Sequence, residues 1–145
     1  MRRYSYPVTM RRASKPGGFV VTFPDLPEAI TQGENLADAL WQAADCVEEA
    51  IAGRVRRGDE LPKPSKPKKG QRIVPVPAPM AAKAALYLAM REARITNLEM
   101  ARRLGCDEKE VRRMLDPRHA TKLPRIQKAL ELLGKRLRLS LEEAA

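Results

Sequence analysis

The feature that most limits the fold is the stretch "PKPSKPKKG" at residues 62–70, near the middle of a chain of 145 residues. Its three prolines and four lysines offer too little apolar surface to form a core, which predicts an extended, mobile spacer. We therefore expect an N-terminal domain at 1–61, a Lys/Pro-rich linker at 62–72 and a C-terminal domain at 73–145. Cores this small favour stabilisation by oligomerisation.

Charge is distributed unevenly between these parts. The formal net charge is +10, yet residues 1–60 carry 8 basic and 9 acidic side chains, residues 61–79 carry 5 and 0, and residues 80–145 carry 15 and 9. A polyanionic partner such as nucleic acid is therefore expected to meet the linker and the C-terminal half.

Other features of the sequence concern location and redox chemistry. No run approaches the roughly 18 apolar residues of a membrane span. The N-terminus "MRRYSYPVTMRRASK" lacks the apolar core and cleavage site of a signal peptide, so a cytoplasmic protein without a membrane partner is expected. Cys46 and Cys106 lie in no metal-binding spacing and are expected to be buried or half-buried thiols.

The N-terminal half predicts a small sheet followed by one helix. The segments "YPVTMRR" and "GGFVVTF" have strand patterns, and the intervening "ASKPGG" has turn composition, which together predict a β-hairpin. A short third strand is expected at 29–32, ended by Gly33. Asn35 and Asp38 form a capping pair for a helix that Gly53 and the following Arg/Gly run are expected to end. Its predicted apolar face consists of Leu36, Leu40, Ala43, Val47, Ala50 and Ile51.

Several acids and one tryptophan of this half are candidate functional side chains. Trp41 borders the apolar helix face, so it is either a rim residue of the core, which is favoured, or a partner contact. Five acids would suit a metal-dependent nuclease if they converged on an ion: Asp25, Glu28, Glu34, Asp38 and Asp45. However, Asp38 is needed as a cap, and no D-x-D or H-x-x-E cluster is present. No catalytic residue, metal or cofactor is therefore predicted, and we do not expect an enzyme.

Two later segments have strand character. The segment "RIVPVP" at 72–77 is restricted by its prolines to a sheet edge. The segment "RLRLSL" at 136–141 alternates leucine with polar residues. The two are predicted to pair, within one chain or across a dimer.

Four helices are predicted in the C-terminal half. An Ala-rich helix, "MAAKAALYLAMREARI", comes first, and "PRIQKALELLG" comes last. Between them, Thr96 opens a short helix that Gly105 ends, and Asp107 opens another. Because only Gly105 and Cys106 separate these two helices, they must cross steeply, as in a helix-turn-helix. The predicted core residues are Ala81, Ala84, Ala85, Leu88, Ala89, Leu98, Ala101, Leu104, Val111, Met114, Leu115, Ile126, Ala129, Leu130 and Leu133.

The helix opened by Asp107 has a basic exposed face. An arginine on such a face can bind guanine O6 and N7 bidentately, while the start of the preceding helix and the basic loop "RHATK" can hold phosphates. His119 in this loop has no catalytic partner implied nearby. An all-α protein-binding module with a solvated basic helix is the alternative. The predicted DNA-binding residues are Asn97, Glu108, Lys109, Arg112, Arg113, Arg118 and Lys122.

Both halves resemble known families. The segment "ITNLEMARRLGCDEKEVRRMLDPRHATKLPRIQKALELLG" resembles helix-turn-helix domains of the phage-repressor type. The segment "YPVTM...GGFVVTFPDLPEAITQGENLADAL" resembles the HicB antitoxins, in which a hairpin, D-L-P, T-Q-G and a capped helix follow in this order. The domain order and the phrases "ARRLG" and "HATK" are also similar to HicB proteins with a helix-turn-helix. The linker is longer and more basic than expected for that family.

The resemblance implies a fold and a function that the residues alone do not. It implies an α+β protein whose N-terminal domain is partly ribonuclease H-like, followed by an all-α helix-turn-helix domain that also dimerises. It further implies an antitoxin that neutralises a HicA-type mRNA-cleaving toxin and represses its own operon by binding operator DNA, as a homodimer or higher even oligomer. Acids on a nearly neutral domain suit a cationic toxin, so the predicted toxin-binding residues are Asp25, Glu28, Glu34 and Trp41.

Two alternatives to the antitoxin remain. A stand-alone dimeric transcription regulator with a ligand-sensing N-terminal domain would have no toxin-sized reading frame beside its gene. A metal-dependent, ribonuclease H-like nuclease would cleave its substrate with Mg²⁺ or Mn²⁺, and Asp25→Ala would abolish that cleavage.

Overall fold

The computed structural model describes residues 1–144, and these form four strands and five helices. The predicted α+β class is therefore confirmed. Contacts divide the chain into two compact units, Met1–Ala81 and Ala82–Ala145. None of the helices within residues 1–144 is long and apolar enough to cross a membrane.

The first unit is built on an antiparallel sheet. Its strands are β1 (Ser5–Arg12), β2 (Phe19–Phe23), β3 (Leu26–Gly33) and β4 (Arg72–Pro75), in the order β3-β2-β1-β4. The predicted hairpin is confirmed as β1 and β2. The third strand begins at Leu26 rather than Ala29, because a tight turn at Pro24 and Asp25 returns the chain directly onto β2.

Helix α1 (Leu36–Arg57) packs against β2, β3 and β4. Its predicted cap is confirmed: Asn35 Oδ1 accepts a hydrogen bond from the Asp38 N–H at 2.8 Å, and Asp38 Oδ2 accepts one from the Glu34 N–H at 2.9 Å. The buried residues Ala39, Ala43, Val47 and Ile51 follow one another at intervals of one helical turn. Leu36, predicted on this face, is 38% exposed.

The prediction that Gly53 and the following Arg/Gly run end α1 is wrong for Gly53 and confirmed for the run. Gly53 is buried inside the helix, which continues to Arg57 and ends at Gly58 with a φ of 74° and N–H bonds to the carbonyls of the last turn. Burial of Val55 beyond the glycine keeps the chain helical, since packing overrides the modest helix penalty of a single glycine.

A close approach explains why β3 ends in glycine. A Cβ atom on Gly33 would lie 2.3 Å from the Ala39 backbone nitrogen and 2.4 Å from the Ala39 Cα. These are backbone atoms of α1, so they cannot move aside as a side chain can. Only glycine at this position allows the first turn of α1 to rest on the end of β3.

The segment 62–72, for which a mobile spacer is predicted, is hydrogen-bonded to the first unit, and its mobility stays a prediction. Tyr6 Oη donates to the Pro62 carbonyl at 2.7 Å, and Gln71 Nε2 donates to Thr9 Oγ1 at 3.1 Å. Between these points, the Ser65 N–H and hydroxyl both donate to Asp25 Oδ2, at 2.9 and 3.1 Å. Polar groups of the sheet thus hold a segment whose composition alone gives it no core to join.

The strand predicted at 72–77 pairs with a different segment from the one predicted. β4 pairs with β1, with Tyr6 opposite Val74, and lies at the sheet edge as its prolines require. The predicted pairing of this strand with "RLRLSL" within one chain is therefore wrong, because residues 135–144 have no regular secondary structure. The open edge of β1 lies in the same unit as β4 and supplies the backbone partners that the strand needs. Pairing across a dimer stays a prediction.

The second unit is helical. Its helices are α2 (Ala78–Ala93), which belongs to this unit from Ala82 onward, α3 (Asn97–Leu104), α4 (Glu108–Leu115) and α5 (Leu123–Leu132). Leu86 and Met90 of α2 are buried where Leu88 was predicted, because an Ala-rich helix is apolar on several sides and its periodicity does not select one. On α3, Met100 replaces Leu98, which is 51% exposed. The core residues are Ala82, Leu86, Ala89, Met90, Met100, Ala101, Val111, Met114, Ile126, Ala129 and Leu130.

The glycine at the end of β3 gives a test of this packing. We expect Gly33→Ala to lower the free energy of unfolding by about 3 kcal/mol or more, because the new methyl group overlaps backbone atoms. Gly53→Ala is the matched control: its Cβ would meet only the movable end of the Arg57 side chain, at 3.0 Å. That variant should gain up to about 1 kcal/mol from helix propensity. Urea unfolding measures both changes, and equal effects of the two variants would contradict the close approach.

Candidate functional surfaces

The helices α3 and α4 are joined by a turn whose geometry follows the predicted caps. Thr96 Oγ1 accepts from the Glu99 N–H at 3.1 Å, and Asp107 Oδ1 accepts from the Glu110 N–H at 2.9 Å. Gly105 closes α3 with a φ of 71°, which favours glycine. The Cys106 N–H then bonds to the Ala101 carbonyl at 3.0 Å. The sequence thus fixes both ends of the turn.

The acids predicted to complete the two capping boxes, Glu99 and Glu110, form ion pairs with arginines. Glu99 Oε1 lies 3.3 Å from Arg103 Nε, and Glu110 pairs with Arg125 of α5. The Glu110–Arg125 pair joins α4 to α5. Because both ion pairs lie at the surface, they contribute little to the free energy of unfolding. Their main effect is to hold the two glutamate side chains in one orientation.

The predicted exposed face of α4 is confirmed. Val111 and Met114 are buried in the core of the second unit, while all four side chains predicted to face outward are exposed. Three of them are cationic, and because they lie on one helix face they form a continuous basic surface. We call this surface the basic face: Glu108, Lys109, Arg112 and Arg113.

The remaining predicted DNA-binding residues lie at the ends of neighbouring elements. Asn97 is half-buried at the first position of α3, and Lys122 is exposed just before α5. Arg118 is exposed in the loop 116–122, where its N–H donates to Asp116 Oδ1 at 2.9 Å. The neighbouring His119 is also exposed, and its N–H donates to the Asp116 carbonyl at 3.1 Å. Asp116 therefore organises the start of this loop.

Sequence reasoning missed a buried lysine beneath the end of α4. Lys83 of α2 is 4% exposed, and its Nζ donates to the Arg113 carbonyl at 3.1 Å, the Met114 carbonyl at 3.2 Å and Thr121 Oγ1 at 2.8 Å. Burial lowers the pKa of Lys83, and the nearby Asp116 carboxylate opposes that shift. The signal available in the sequence is a single lysine inside the apolar run "AAKAAL".

Two of the predicted toxin-binding acids hold the first unit together. Glu28 makes a bidentate pair with Arg54, with Nε–Oε2 at 2.6 Å and Nη2–Oε1 at 2.9 Å, and this hydrogen bonding lowers the pKa of Glu28. Asp25 accepts both hydrogen bonds from Ser65. Each carboxylate therefore has a partner of its own, and the two do not face a common site.

The other two predicted residues are exposed. The Glu34 side chain is 80% exposed, with Lys15 Nζ 3.9 Å from its Oε1. Trp41 is 68% exposed on α1, so the favoured interpretation of it as a rim residue of the core is wrong. It lies between the buried Ala39 and Ala43, about 200° around the helix from each, and so faces away from the sheet.

The exposed tryptophan stands in an acidic part of α1. No lysine or arginine occurs between residues 34 and 53. Among the described residues, Asp45, Glu48 and Glu49 form no ion pair, and burial together with the Asp45 and Glu49 charges raises the pKa of Glu48. We call Trp41 and these three acids the acidic face of α1.

Neither cysteine suggests a reactive or metal-binding site. Cys46 and Cys106 are half-buried free thiols, as predicted, and burial raises the pKa of Cys46. Within residues 1–144, no three His, Cys, Asp or Glu side chains form a group that could hold a metal ion.

Comparison with known proteins adds evidence that is independent of this geometry. A family described as "HicB_like antitoxin of bacterial toxin-antitoxin system" matches residues 5–85. Antitoxin HicB 1 of Photorhabdus laumondii subsp. laumondii is 35% identical over 142 residues, which are 98% of this chain and 90% of that protein. Antitoxin HicB of Escherichia coli (strain K12) is 38% identical over 134 residues, 92% of this chain and 96% of that protein. Antitoxin HicB 2 of the same Photorhabdus strain is 41% identical over 122 residues, covering 84% and 86%.

Proposed function

Because the chain belongs to the family of HicB-like antitoxins of bacterial toxin-antitoxin systems, we propose that it neutralises a HicA-type mRNA-cleaving toxin and represses its own operon. The observation that carries the proposal is the similarity to antitoxins over 84% or more of the chain. In this proposal toxin binding is a property of the first unit, and the family match over residues 5–85 supports that placement. In this proposal the protein binds its toxin and DNA and catalyses nothing.

Toxin binding uses the acidic face of α1. An exposed tryptophan supplies a large apolar contact at low entropic cost, and tryptophan is enriched among residues that dominate binding energy. The surrounding carboxylates complement a cationic partner and speed its approach. Glu34 joins this surface at the start of α1. Asp25 and Glu28 contribute indirectly, because their bonds to Ser65 and Arg54 hold the segments beside α1 in place. The unit as a whole is a partial ribonuclease H-like fold that serves as a scaffold.

DNA binding uses α3 and α4 as a helix-turn-helix of the phage-repressor type. In this arrangement α4 enters the major groove, where Arg112 and Arg113 bind guanine bidentately and Lys109 makes a single bond. Glu108 accepts from a cytosine amino group or favours the positive end of the α4 dipole. Residues at the edges of the helix pair hold phosphates on either side: Asn97, Arg118 and Lys122.

Operator recognition of this kind requires two copies of the basic face. A homodimer, or a higher even oligomer, presents two α4 helices about one helical turn of DNA apart and so matches a palindromic operator. The segment 135–144 is the candidate for strand exchange between copies, since its alternating leucines include the exposed Leu139 and Leu141.

The proposed DNA binding is tested by removing positive charges from α4. Arg112→Ala and Arg113→Ala are each expected to weaken binding to the DNA that precedes the coding frame by about 1–3 kcal/mol, roughly 5- to 150-fold, and to relax sequence preference. Fluorescence anisotropy with specific and scrambled duplexes measures both quantities. Arg12→Ala, which removes an exposed arginine from β1, is the matched control and should bind like the wild type. Wild-type affinity in both α4 variants would refute the proposed base contacts.

The toxin half is tested at Trp41. Trp41→Ala is expected to weaken toxin binding by about 2 kcal/mol or more, about 30-fold, while stability changes little because the side chain is exposed. Calorimetry with the product of the neighbouring reading frame, and rescue of growth on co-expression, measure the loss. Leu132→Ala removes an exposed apolar side chain from α5 of the second unit and is the control.

The two halves are separable. The α4 variants should retain toxin binding, and Trp41→Ala should retain operator binding. Operator binding without any binding of the neighbouring product would instead favour a stand-alone regulator.

A further inference from the structure

Lys83 is the only charged residue that is buried among the described residues. A buried ammonium is costly unless its hydrogen bonds are satisfied. An ammonium has three donors, and Lys83 Nζ has three acceptors within hydrogen-bond distance, at 2.8, 3.1 and 3.2 Å. None of these acceptors is a carboxylate, so Lys83 does not form a buried salt bridge.

The acceptors identify what the lysine holds. Two are the carbonyls of Arg113 and Met114, in the last turn of α4, where carbonyl groups lack the usual partner one turn further along the helix. The Arg113 carbonyl also accepts from the Asp116 N–H at 3.2 Å. A positive charge at a helix C-terminus is also favoured by the helix dipole. The third acceptor is the Thr121 hydroxyl, which lies at the far end of the loop 116–122, and 3.4 Å from the Arg113 carbonyl.

These bonds act on a segment that carries exposed basic groups. The loop 116–122 leaves α4 at Asp116 and contains Arg118 and Lys122, both exposed. Asp116 binds the Arg118 and His119 N–H groups at the start of the loop, and Lys83 binds Thr121 at its end. The loop is therefore fixed at both ends, and the end of α4 is fixed with it.

We propose that Lys83 is a positioning residue for DNA binding, which holds the end of α4 and the loop 116–122 so that Arg113, Arg118 and Lys122 meet one duplex together. The proposal rests on the operator binding proposed above and adds a residue that cannot itself contact DNA, because its side chain is buried beneath α4. An apolar residue at position 83 would fill the space but would remove one donor from each of the two carbonyls and from the Thr121 hydroxyl. The Arg113 carbonyl would then keep only the Asp116 N–H at 3.2 Å and the Thr121 hydroxyl at 3.4 Å.

The test uses the full-length protein and three variants. Lys83→Met keeps an unbranched side chain that is one heavy atom shorter and removes the donors. Thr121→Val removes one acceptor and keeps Lys83, and Thr121→Ser keeps the hydroxyl and serves as its matched control. Each variant is titrated with the duplex that precedes the coding frame over a salt series, and backbone amide exchange is followed in the loop 116–122.

Positioning and plain stabilisation predict different results. A misplaced loop loses phosphate contacts, so Lys83→Met should lower operator affinity roughly tenfold and reduce the slope of log affinity against log salt by about 1 to 2. Amide exchange in the loop should become faster. Thr121→Val should change affinity, slope and exchange in the same direction by less, and Thr121→Ser should match the wild type. If Lys83 only stabilises the fold, the folded fraction falls and the slope stays at the wild-type value.

The possible outcomes distinguish failure of the positioning role of Lys83 from failure of the proposed operator binding. Wild-type slopes and loop exchange in both Lys83→Met and Thr121→Val would overturn the positioning role, while loss of affinity in Arg112→Ala would still support operator binding. Absence of sequence-specific DNA binding by the wild-type protein would overturn the proposed operator binding and the positioning role with it. If Lys83→Met does not fold, the comparison of Thr121→Val with Thr121→Ser decides, because both retain the buried lysine.

Discussion

The first unit depends on the contact between the end of β3 and the first turn of α1. At Gly33 the two backbones approach so closely that a Cβ would lie 2.3 Å from a backbone nitrogen of the helix. The caps formed by Asn35 and Asp38 start α1 directly after this point, so the strand and the helix form one rigid corner. The corner selects which side of α1 packs on the sheet, because helical residues one turn apart share a face. Because Trp41 lies on the opposite side of α1 from this face, it points away from the sheet.

The polar residues of this unit divide into those that hold the fold and those that remain exposed. Asp25 and Glu28 bond to Ser65 and Arg54, two residues far from them in sequence. The first of these bonds places the Lys/Pro-rich segment along the unit, and the second joins β3 to the last part of α1. Among the described residues, the α1 acids Asp45, Glu48 and Glu49 form no ion pair. A chain with a net charge of +10 thus keeps one acidic, apolar surface that suits a cationic protein.

In the second unit, the very short turn at Gly105 and Cys106 determines how α3 and α4 cross. Two caps and the left-handed Gly105 fix the ends of the turn, and burial of Val111 and Met114 fixes the rotation of α4 about its axis. Lys83 then satisfies the carbonyls at the other end of α4 from within the core. The Asp107 cap and Lys83 thus bond backbone groups at the two ends of α4. Burial of Val111 and Met114 leaves the basic side chains of the helix facing outward.

The sequence by itself determined the local structure: the hairpin, the caps at Asn35, Thr96 and Asp107, the end of α3 at Gly105 and the exposed side of α4. These depend on backbone conformation and on neighbours a few residues away, which the sequence states directly. Only the tertiary structure decided the continuation of α1 through Gly53, the pairing of β4 with β1, the course of residues 62–72 and the partners of Asp25, Glu28 and Lys83. Each of these depends on groups 26 to 70 residues apart that meet after folding, or on burial that outweighs local propensity. Composition cannot show which distant donor or acceptor a polar side chain will find, and that choice separates the acids that hold the fold from the surface that remains exposed.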